Sequence, residues 1–230
     1  MTFKRKDGRK VDETRKIRTE VGLVPNADGS ALFAFGDTIA IAAVYGPRPL
    51  HPQHLQNPEK GVLRCNYDMI SFSVTERKKP GPSRRSQEIS KVTEWALVPA
   101  IQLDNFPNTV IDVHIMILQA NASTRCAGIN AASMALAHAG IPMTDLVASV
   151  SVGKLDKQIV VDVDKNEEDY EEGEGATDIA MAFTGSGEIS LLQLDGKIQE
   201  DKIKEAIEAG EKACKEIIEI QKKTIKSIGN

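Results

Sequence analysis

The sequence has little of what marks several large classes of protein. Only 4% of its 230 residues are aromatic, and its three cysteines (Cys65, Cys126, Cys214) lie far apart in no metal-binding spacing. No apolar run reaches the roughly 18 residues that a membrane-spanning helix needs. The first twenty residues are charged throughout, which does not fit a signal peptide. We therefore expect a cytoplasmic protein with reduced, buried thiols and no membrane segment.

Charge of one sign is not in large excess, but it is unevenly placed. The net charge of -4 argues against a protein that coats nucleic acid non-specifically. Five of the ten residues from 76 to 85 are nevertheless basic, and seven of the fourteen residues from 165 to 178 are acidic. This segregation still allows an enzyme that acts on nucleic acid.

The apolar patterns predict an α+β fold in which groups of strands are separated by long helices. A strand pair joined at Gly36-Asp37 is expected to end at Gly46, and helical spacing of apolar residues is expected from Ser86, with Pro99 kinking or tightening that helix. With 41% hydrophobic residues the chain can form one compact domain over residues 1–230. Residues 1–20 are predicted to be a surface arm, and residues 201–230 an amphipathic helix.

Two arginines, Arg84 and Arg85, stand where the first helix should begin. The positive end of the helix dipole disfavours cations there unless an anion is bound. Guanidinium groups bind phosphate in a bidentate manner, so phosphate or an RNA backbone is the expected ligand. A solvated basic turn explains these two residues about equally well.

A second anion site is indicated by Ser123, Thr124 and Arg125, which open a helix of small residues directly after a buried strand. Free backbone N–H groups, two hydroxyls and an arginine would converge at this helix end. The alternative is that Ser123 is only an N-cap and that Arg125 lies on the surface.

The acidic segment from residue 165 to 178 is either a solvated loop or part of a cation site. Phosphodiester chemistry usually needs Mg²⁺ or Mn²⁺ held by carboxylates. Asp178, just before a strand, is the best ligand candidate, and Asp169 is the second. Solvation alone accounts for the remaining glutamates that we assign to the loop surface: Glu167, Glu168, Glu171 and Glu174.

Several motifs together resemble the ribonuclease PH family, and within it most closely the catalytic ribonuclease-PH-like subunits of archaeal exosomes. They are "KDGRKVDETRKIRTEVG", "ADGSALFAFGDT", "AVYGPR", "SRRSQEISK", "AGIPMTDLVASVSVG" and "LLQLDG", in the family's order and over nearly the whole chain. The resemblance implies a ribosomal-protein-S5-domain-2-like fold with two pseudo-repeated β/α halves. It also implies phosphorolysis, in which inorganic phosphate attacks the 3′ end of single-stranded RNA and releases nucleoside diphosphates, reversibly.

The same resemblance implies a role for particular residues. Arg84 and Arg85 would hold the RNA end and phosphate, and Ser123, Thr124 and Arg125 would form the phosphate site. Asp178 would be the catalytic, metal-binding aspartate, Asp169 its upstream partner, and Arg64 an RNA contact in a pore.

The sequence departs from the family at two places. Asn121 replaces the family's aspartate and Ser123 its second glycine, so that the Ser123 hydroxyl could crowd the anion. The acidic loop is also about three residues longer than usual, which makes Glu172, six residues before Asp178, a rival of Asp169 for the upstream position.

Three functions are therefore weighed. The first is a phosphorolytic subunit that alternates with an inactive paralogue in a hetero-hexameric ring beneath RNA-binding cap subunits. The second is a homohexameric ribonuclease PH that trims tRNA. The third is a catalytically inactive scaffold, which retention of Arg85, Arg125 and Asp178 argues against.

Overall fold

The computed structural model describes residues 5–170 and 175–227 of the chain. Nine strands and four helices follow one another in these ranges. The strands are β1 (Ile17–Val21), β2 (Gly29–Phe35), β3 (Thr38–Pro49), β4 (Val62–Met69), β5 (Thr109–Gln119), β6 (Val147–Leu155), β7 (Gln158–Val161), β8 (Ala176–Thr184) and β9 (Ile189–Asp195). The helices are α1 (Arg84–Leu97), α2 (Thr124–His138), the short α3 (Lys165–Glu168) and α4 (Glu200–Lys226).

The strands form two sheets, one from each half of the chain. The first has the order β1-β2-β3-β5-β4, antiparallel except for the parallel pair β4 and β5. The second has the order β7-β6-β8-β9 and is antiparallel throughout. Helix α1 packs on the first sheet and α4 on the second. This arrangement confirms the predicted α+β class and the two β/α halves.

Helix α2 joins the halves because it lies between the two sheets. Its small residues allow the close approach: a Cβ on Gly128 would lie only 3.2 Å from Ile115 of the first sheet. On its other side, the Asn130 amide accepts from the Ser149 N–H (2.9 Å) and donates to the Ser149 carbonyl (2.8 Å) of β6. Buried side chains of both halves thus form one continuous core, while the assignment of a single domain stays a prediction.

One local prediction needed correction. Strand β3 does not end at Gly46 but continues to Pro49 across an irregularity in its pairing with β5. Helix α1 begins at Arg84, where the two arginines were expected to open it, because Ser83 caps it, and Pro99 lies in the tighter 3-10 turn that follows the helix.

The N-terminal arm is more deeply anchored than a surface arm would be. Arg5 is 3% exposed, and its guanidinium binds the Glu167 carboxylate through two hydrogen bonds of 2.8 and 2.9 Å. The assignment of Glu167 to a solvated surface was therefore wrong, since this carboxylate is buried in an ion pair. No helix in the described part of the chain is long and apolar enough to span a membrane.

Candidate functional site

A cavity of about 1030 Å³ opens where the first turns of α1 and α2 face strands β8 and β9. Its charged and polar lining residues are Lys78, Arg84, Arg85, Glu88, Ser123, Thr124, Arg125, Ser151, Lys165, Glu168, Asp178, Gln193 and Asp195. Six of the eight residues predicted to form a site are among them. The fold thus brings together three segments that are far apart in the sequence.

Helix α1 contributes two arginines from its first turn. The Ser83 hydroxyl accepts from the Ser86 N–H (3.0 Å), and this cap fixes the start of the helix. Arg84 and Arg85 follow directly, both exposed and both lining the cavity. Their charges therefore meet water or an anion at the positive end of the helix.

Helix α2 presents an uncapped N-terminus to the same cavity. Ala122 and Ser123 both have φ of 54°, the left-handed region. The Ser123 hydroxyl does not cap the helix but donates to the Val163 carbonyl (3.0 Å). The N–H groups of the first turn thus have no side-chain cap, which suits an anion.

Thr124 is held in a defined orientation at this helix end. The buried Tyr67 hydroxyl donates to Thr124 Oγ1 at 3.0 Å, so the threonine hydrogen remains available for a ligand. Burial raises the pKa of Tyr67, while the bond to Thr124 and the charges of Arg85 and Arg125 lower it. The tyrosine therefore serves as a donor at neutral pH.

Arg125 is fixed by residues of two other elements. Its Nη1 donates to Gln193 Oε1 of β9, and its Nη2 lies 3.7 Å from Glu88 Oε1 of α1. Its Nε is buried without a hydrogen-bond partner. A buried N–H without a partner is costly, so this group has the properties expected of a ligand-binding donor.

Asp178 faces the arginines from strand β8. The Ser151 hydroxyl of β6 donates to Asp178 Oδ1, and Asp195 lies directly opposite on β9. Burial raises the pKa of Asp178, as do the carboxylates of Glu168 and Asp195, whereas the Ser151 bond and Arg125 lower it. The protein thus holds this carboxyl where its charge is disfavoured, a common property of catalytic groups.

The remaining predicted residues lie elsewhere. Asp169 is exposed and binds Lys165 Nζ at 2.8 Å, and it does not line the cavity. Arg64 on β4 pairs with Asp112 of β5 through hydrogen bonds of 2.5 and 2.9 Å, also outside the cavity. Glu172, with Glu171 and Glu174, lies outside the described residues. The roles of Asp169 and Arg64 stay predictions.

The described residues contain no group of three or more side chains that could hold a metal ion by themselves. Mg²⁺ is commonly bound by one or two carboxylates together with substrate phosphates and water. The mutually repelling carboxylates of Asp178, Asp195 and Glu168 around one cavity fit that incomplete type of site. The donors present thus suit a metal ion that binds together with its substrate.

Several residues of the cavity were missed or misread from the sequence. Glu168 was assigned to solvation although it lines the cavity, and Ser151, Gln193 and Asp195 were assigned no role. A signal existed for the last two, because they belong to the "LLQLDG" motif that carries the family resemblance. Ser151 gave no signal, since a serine in an apolar strand is common.

Comparison with known proteins agrees with this geometry. The pattern of the 3′ exoribonuclease family matches residues 13–142 (domain 1) and residues 145–213 (domain 2). The chain is 52% identical over 224 residues to exosome complex component Rrp41 of Thermococcus kodakarensis, covering 97% of this chain and 88% of that protein. Against the Rrp41 of Methanopyrus kandleri the identity is 47%, over 96% and 92% of the two chains.

Comparison with solved structures supports the same family by its fold. The crystal structure of rice (Oryza sativa) Rrp46 superposes with a TM-score of 0.84 at 26% identity, covering 96% of this chain and all of that one. These matches confirm the resemblance that the motifs indicated. The chain belongs to the ribonuclease PH family of 3′ exoribonucleases.

Proposed function

We propose that this chain is the catalytic subunit of an archaeal exosome and degrades single-stranded RNA from the 3′ end by phosphorolysis. One observation carries the proposal. Arg85 and Arg125, from two helix starts, line one cavity with Asp178. A scaffold subunit has no need to keep anion-binding groups opposite a destabilised carboxylate.

The residues that line the cavity support a phosphorolytic reaction. Inorganic phosphate would bind at the open N–H groups of α2, the Thr124 hydroxyl and the Arg125 guanidinium. One of its oxygens forms a bond to the phosphorus of the last linkage, the bond from that phosphorus to the preceding 3′ oxygen breaks, and a nucleoside diphosphate leaves. The shortened RNA keeps the 3′ oxygen, which takes up the proton that the attacking hydrogen phosphate loses.

A divalent cation, Mg²⁺ or Mn²⁺, is proposed as the cofactor because two phosphate groups and a carboxylate must share the cavity. Asp178 would hold it, with Asp169 as the upstream candidate from the family resemblance. When bound, the cation would supply positive charge at the reacting oxygens. The Ser151 hydroxyl donates to Asp178 Oδ1 and so helps to keep the carboxylate in one orientation.

The RNA would be held mainly through its phosphates. Arg84, Arg85 and Lys78 form the basic rim of the cavity, and none of its described lining residues is aromatic. Stacking of bases on aromatic side chains is therefore not expected within the described part of the cavity. We infer an exonuclease with little sequence preference, with Arg64 as a further RNA contact outside the cavity.

The assembly is also a proposal. The relatives are named as components of an exosome complex. We infer that this chain works in the cytoplasm, in a hexameric ring with an inactive paralogue and RNA-binding cap subunits. Basic surfaces lined up around a shared pore would increase RNA affinity by avidity.

The experiment is to mix the assembled complex with poly(A), Mg²⁺ and inorganic phosphate and to identify the products. We expect ADP, and we expect none from the Asp178→Asn complex. Release of AMP without a phosphate requirement would replace phosphorolysis by hydrolysis, and the absence of any product would favour the scaffold. An Asp169→Asn complex tests the upstream acid, and the mass of the purified chain tests for a self-assembled ring.

A further inference from the structure

The guanidinium of Arg125 is held by one neutral and one acidic side chain. Gln193 Oε1 accepts from its Nη1, Glu88 Oε1 lies 3.7 Å from its Nη2, and Gln193 Nε2 donates to the same Glu88 oxygen at 3.3 Å. The three residues belong to α2, β9 and α1. They form a closed cluster at the cavity wall, which we call the Arg125 clamp (Glu88, Arg125, Gln193).

The two partners of Arg125 act differently on a bound anion. A glutamine oxygen orients the guanidinium without cancelling its charge, because the amide is neutral. A carboxylate next to the same guanidinium offsets that charge and repels phosphate. Glu88 is 53% exposed on the side chain, so water can solvate it once it moves away.

The neutrality of Gln193 is the informative feature. An arginine side chain loses rotamer freedom when it is fixed. A guanidinium that is already held in place therefore loses less conformational entropy when it binds its ligand. If the only purpose were to immobilise Arg125, a glutamate at position 193 would bind it more strongly than glutamine. A glutamate would, however, occupy and neutralise the group that must bind phosphate.

We propose that Gln193 is a positioning residue that holds Arg125 ready for inorganic phosphate, and that Glu88 is the counter-ion which phosphate displaces. This inference rests on the proposed function and deepens it. Phosphate then takes the place of the Glu88 carboxylate beside Arg125, while the hydrogen bond between Arg125 and Gln193 remains. The buried Nε of Arg125, which has no partner, remains as a further donor toward the anion.

The test compares three variants of the assembled complex: Gln193→Glu, Glu88→Gln and the double exchange. Gln193→Glu puts two carboxylates beside Arg125, so the Kd for inorganic phosphate should rise roughly tenfold or more. Glu88→Gln removes the competitor, and the same Kd should fall by roughly threefold to tenfold. The double exchange returns one carboxylate and one amide to the cluster, and the Kd should return to within about threefold of the wild-type value.

Phosphate binding is measured by calorimetry without RNA, and the KM for phosphate and for poly(A) is then measured in the ADP-release assay. The effect should fall on the phosphate KM and leave the poly(A) KM within about twofold. Gln87→Glu is the matched control, because it adds the same charge on α1 at an exposed residue outside the cavity. It should change neither constant.

The outcomes separate the two proposals. An unchanged phosphate Kd in Gln193→Glu and Glu88→Gln, or a double exchange that binds phosphate more weakly than Gln193→Glu, overturns the clamp. Glu88→Gln keeps this test decisive if Gln193→Glu fails to fold, because Glu88 lies on an exposed helix surface. Failure of the wild-type complex to release ADP overturns the proposed function, while the calorimetric Kd still decides on the clamp.

Discussion

At the level of single residues, Asp178 combines an ionisable group with surroundings that disfavour its charge. It is partly buried, and two other carboxylates, Glu168 and Asp195, act on it. Its raised pKa means that the folded state prefers the protonated form. Ionisation of Asp178 therefore reduces stability as pH rises above the pKa of an unfolded aspartate.

We predict that Asp178→Asn abolishes ADP release and makes the chain more stable at neutral pH in metal-free buffer. The gain, on the order of 1 kcal/mol, arises because asparagine keeps an acceptor for Ser151 without the disfavoured charge. Guanidinium unfolding of both proteins at several pH values measures it. The gain should vanish at acidic pH, where Asp178 is protonated in both states, and a pH-independent gain would contradict this explanation.

Ser151 is predicted to keep Asp178 more acidic than burial alone would allow. Its hydroxyl donates to the carboxylate and lowers the pKa. Ser151→Ala should therefore raise the pKa of Asp178 further. Carbon-13 NMR titration in metal-free buffer, with Asp178→Asn used to assign the signal, measures the change. A pKa equal to that of the wild type would show that the hydroxyl has no electrostatic effect.

At the level of elements, the turn between β5 and α2 is held by Thr38 of β3 and Arg15 of the N-terminal arm. Thr38 Oγ1 lies 2.8 Å from the carbonyl oxygens of both Asn121 and Ala122, which share its single hydrogen. Arg15 Nη1 donates to the Asn121 carbonyl at 2.5 Å, and its guanidinium pairs with Asp162 at 2.6 Å. Two consecutive non-glycine residues in the left-handed region cost energy, and this network offsets that cost.

We predict that Asp162→Asn destabilises the chain by about 3–5 kcal/mol, because it leaves the buried Arg15 guanidinium without its counter-charge. Asp162 is completely buried and has a φ of 56°. Asparagine tolerates this backbone conformation, so the loss reports the charge pair. Thermal or guanidinium unfolding of the purified chain measures it.

The matched control is Asp156→Asn, at an aspartate with a φ of 53° in the turn between β6 and β7. A change within about 0.5 kcal/mol is expected there, as for most substitutions away from a buried charge pair. A similar loss in both variants would mean that the backbone conformation, and not the Arg15 pair, is responsible.

At the scale of the whole molecule, the negative net charge coexists with a local basic surface. The chain carries -4 overall, while Arg84, Arg85 and Lys78 line one side of the cavity. Phosphate contacts release counterions from single-stranded RNA, so binding weakens as salt increases. An acidic protein is thus expected to bind RNA with the salt dependence of a basic one.

We predict a negative slope of log affinity against log salt for poly(A) binding by the assembled complex, measured by fluorescence anisotropy. Arg84→Ala and Arg85→Ala should each make the slope shallower by about 0.7 for every RNA phosphate that is no longer neutralised. Arg18→Ala removes another exposed arginine, on β1 and outside the cavity, and should leave the slope unchanged. Equal effects of all three would attribute the salt dependence to net charge alone.

Particular residues show how far sequence reasoning reaches. Arg85, Thr124 and Arg125 were predicted because a helix start next to a strand is a local pattern with a known electrostatic preference. Glu167 and Glu168 were both read as solvated, yet the first is buried against Arg5 and the second lines the cavity. Adjacent glutamates cannot be distinguished by local sequence pattern, because their different environments arise only in the folded structure.

Local sequence patterns were enough to predict the α+β class, the starts of both arginine-bearing helices and a strand next to Asp178, although Asp178 itself lies inside β8. These features follow from periodicity, capping and turn chemistry, which act between residues close together in the chain. The folded chain was needed to show that Gln193 and Glu88 hold Arg125, that Ser151 holds Asp178, and that the N-terminal arm supports the turn between β5 and α2. Such contacts join distant segments, as Arg5 and Glu167 do across 162 residues. Their partners are chosen by sheet register and helix packing, which no local pattern encodes.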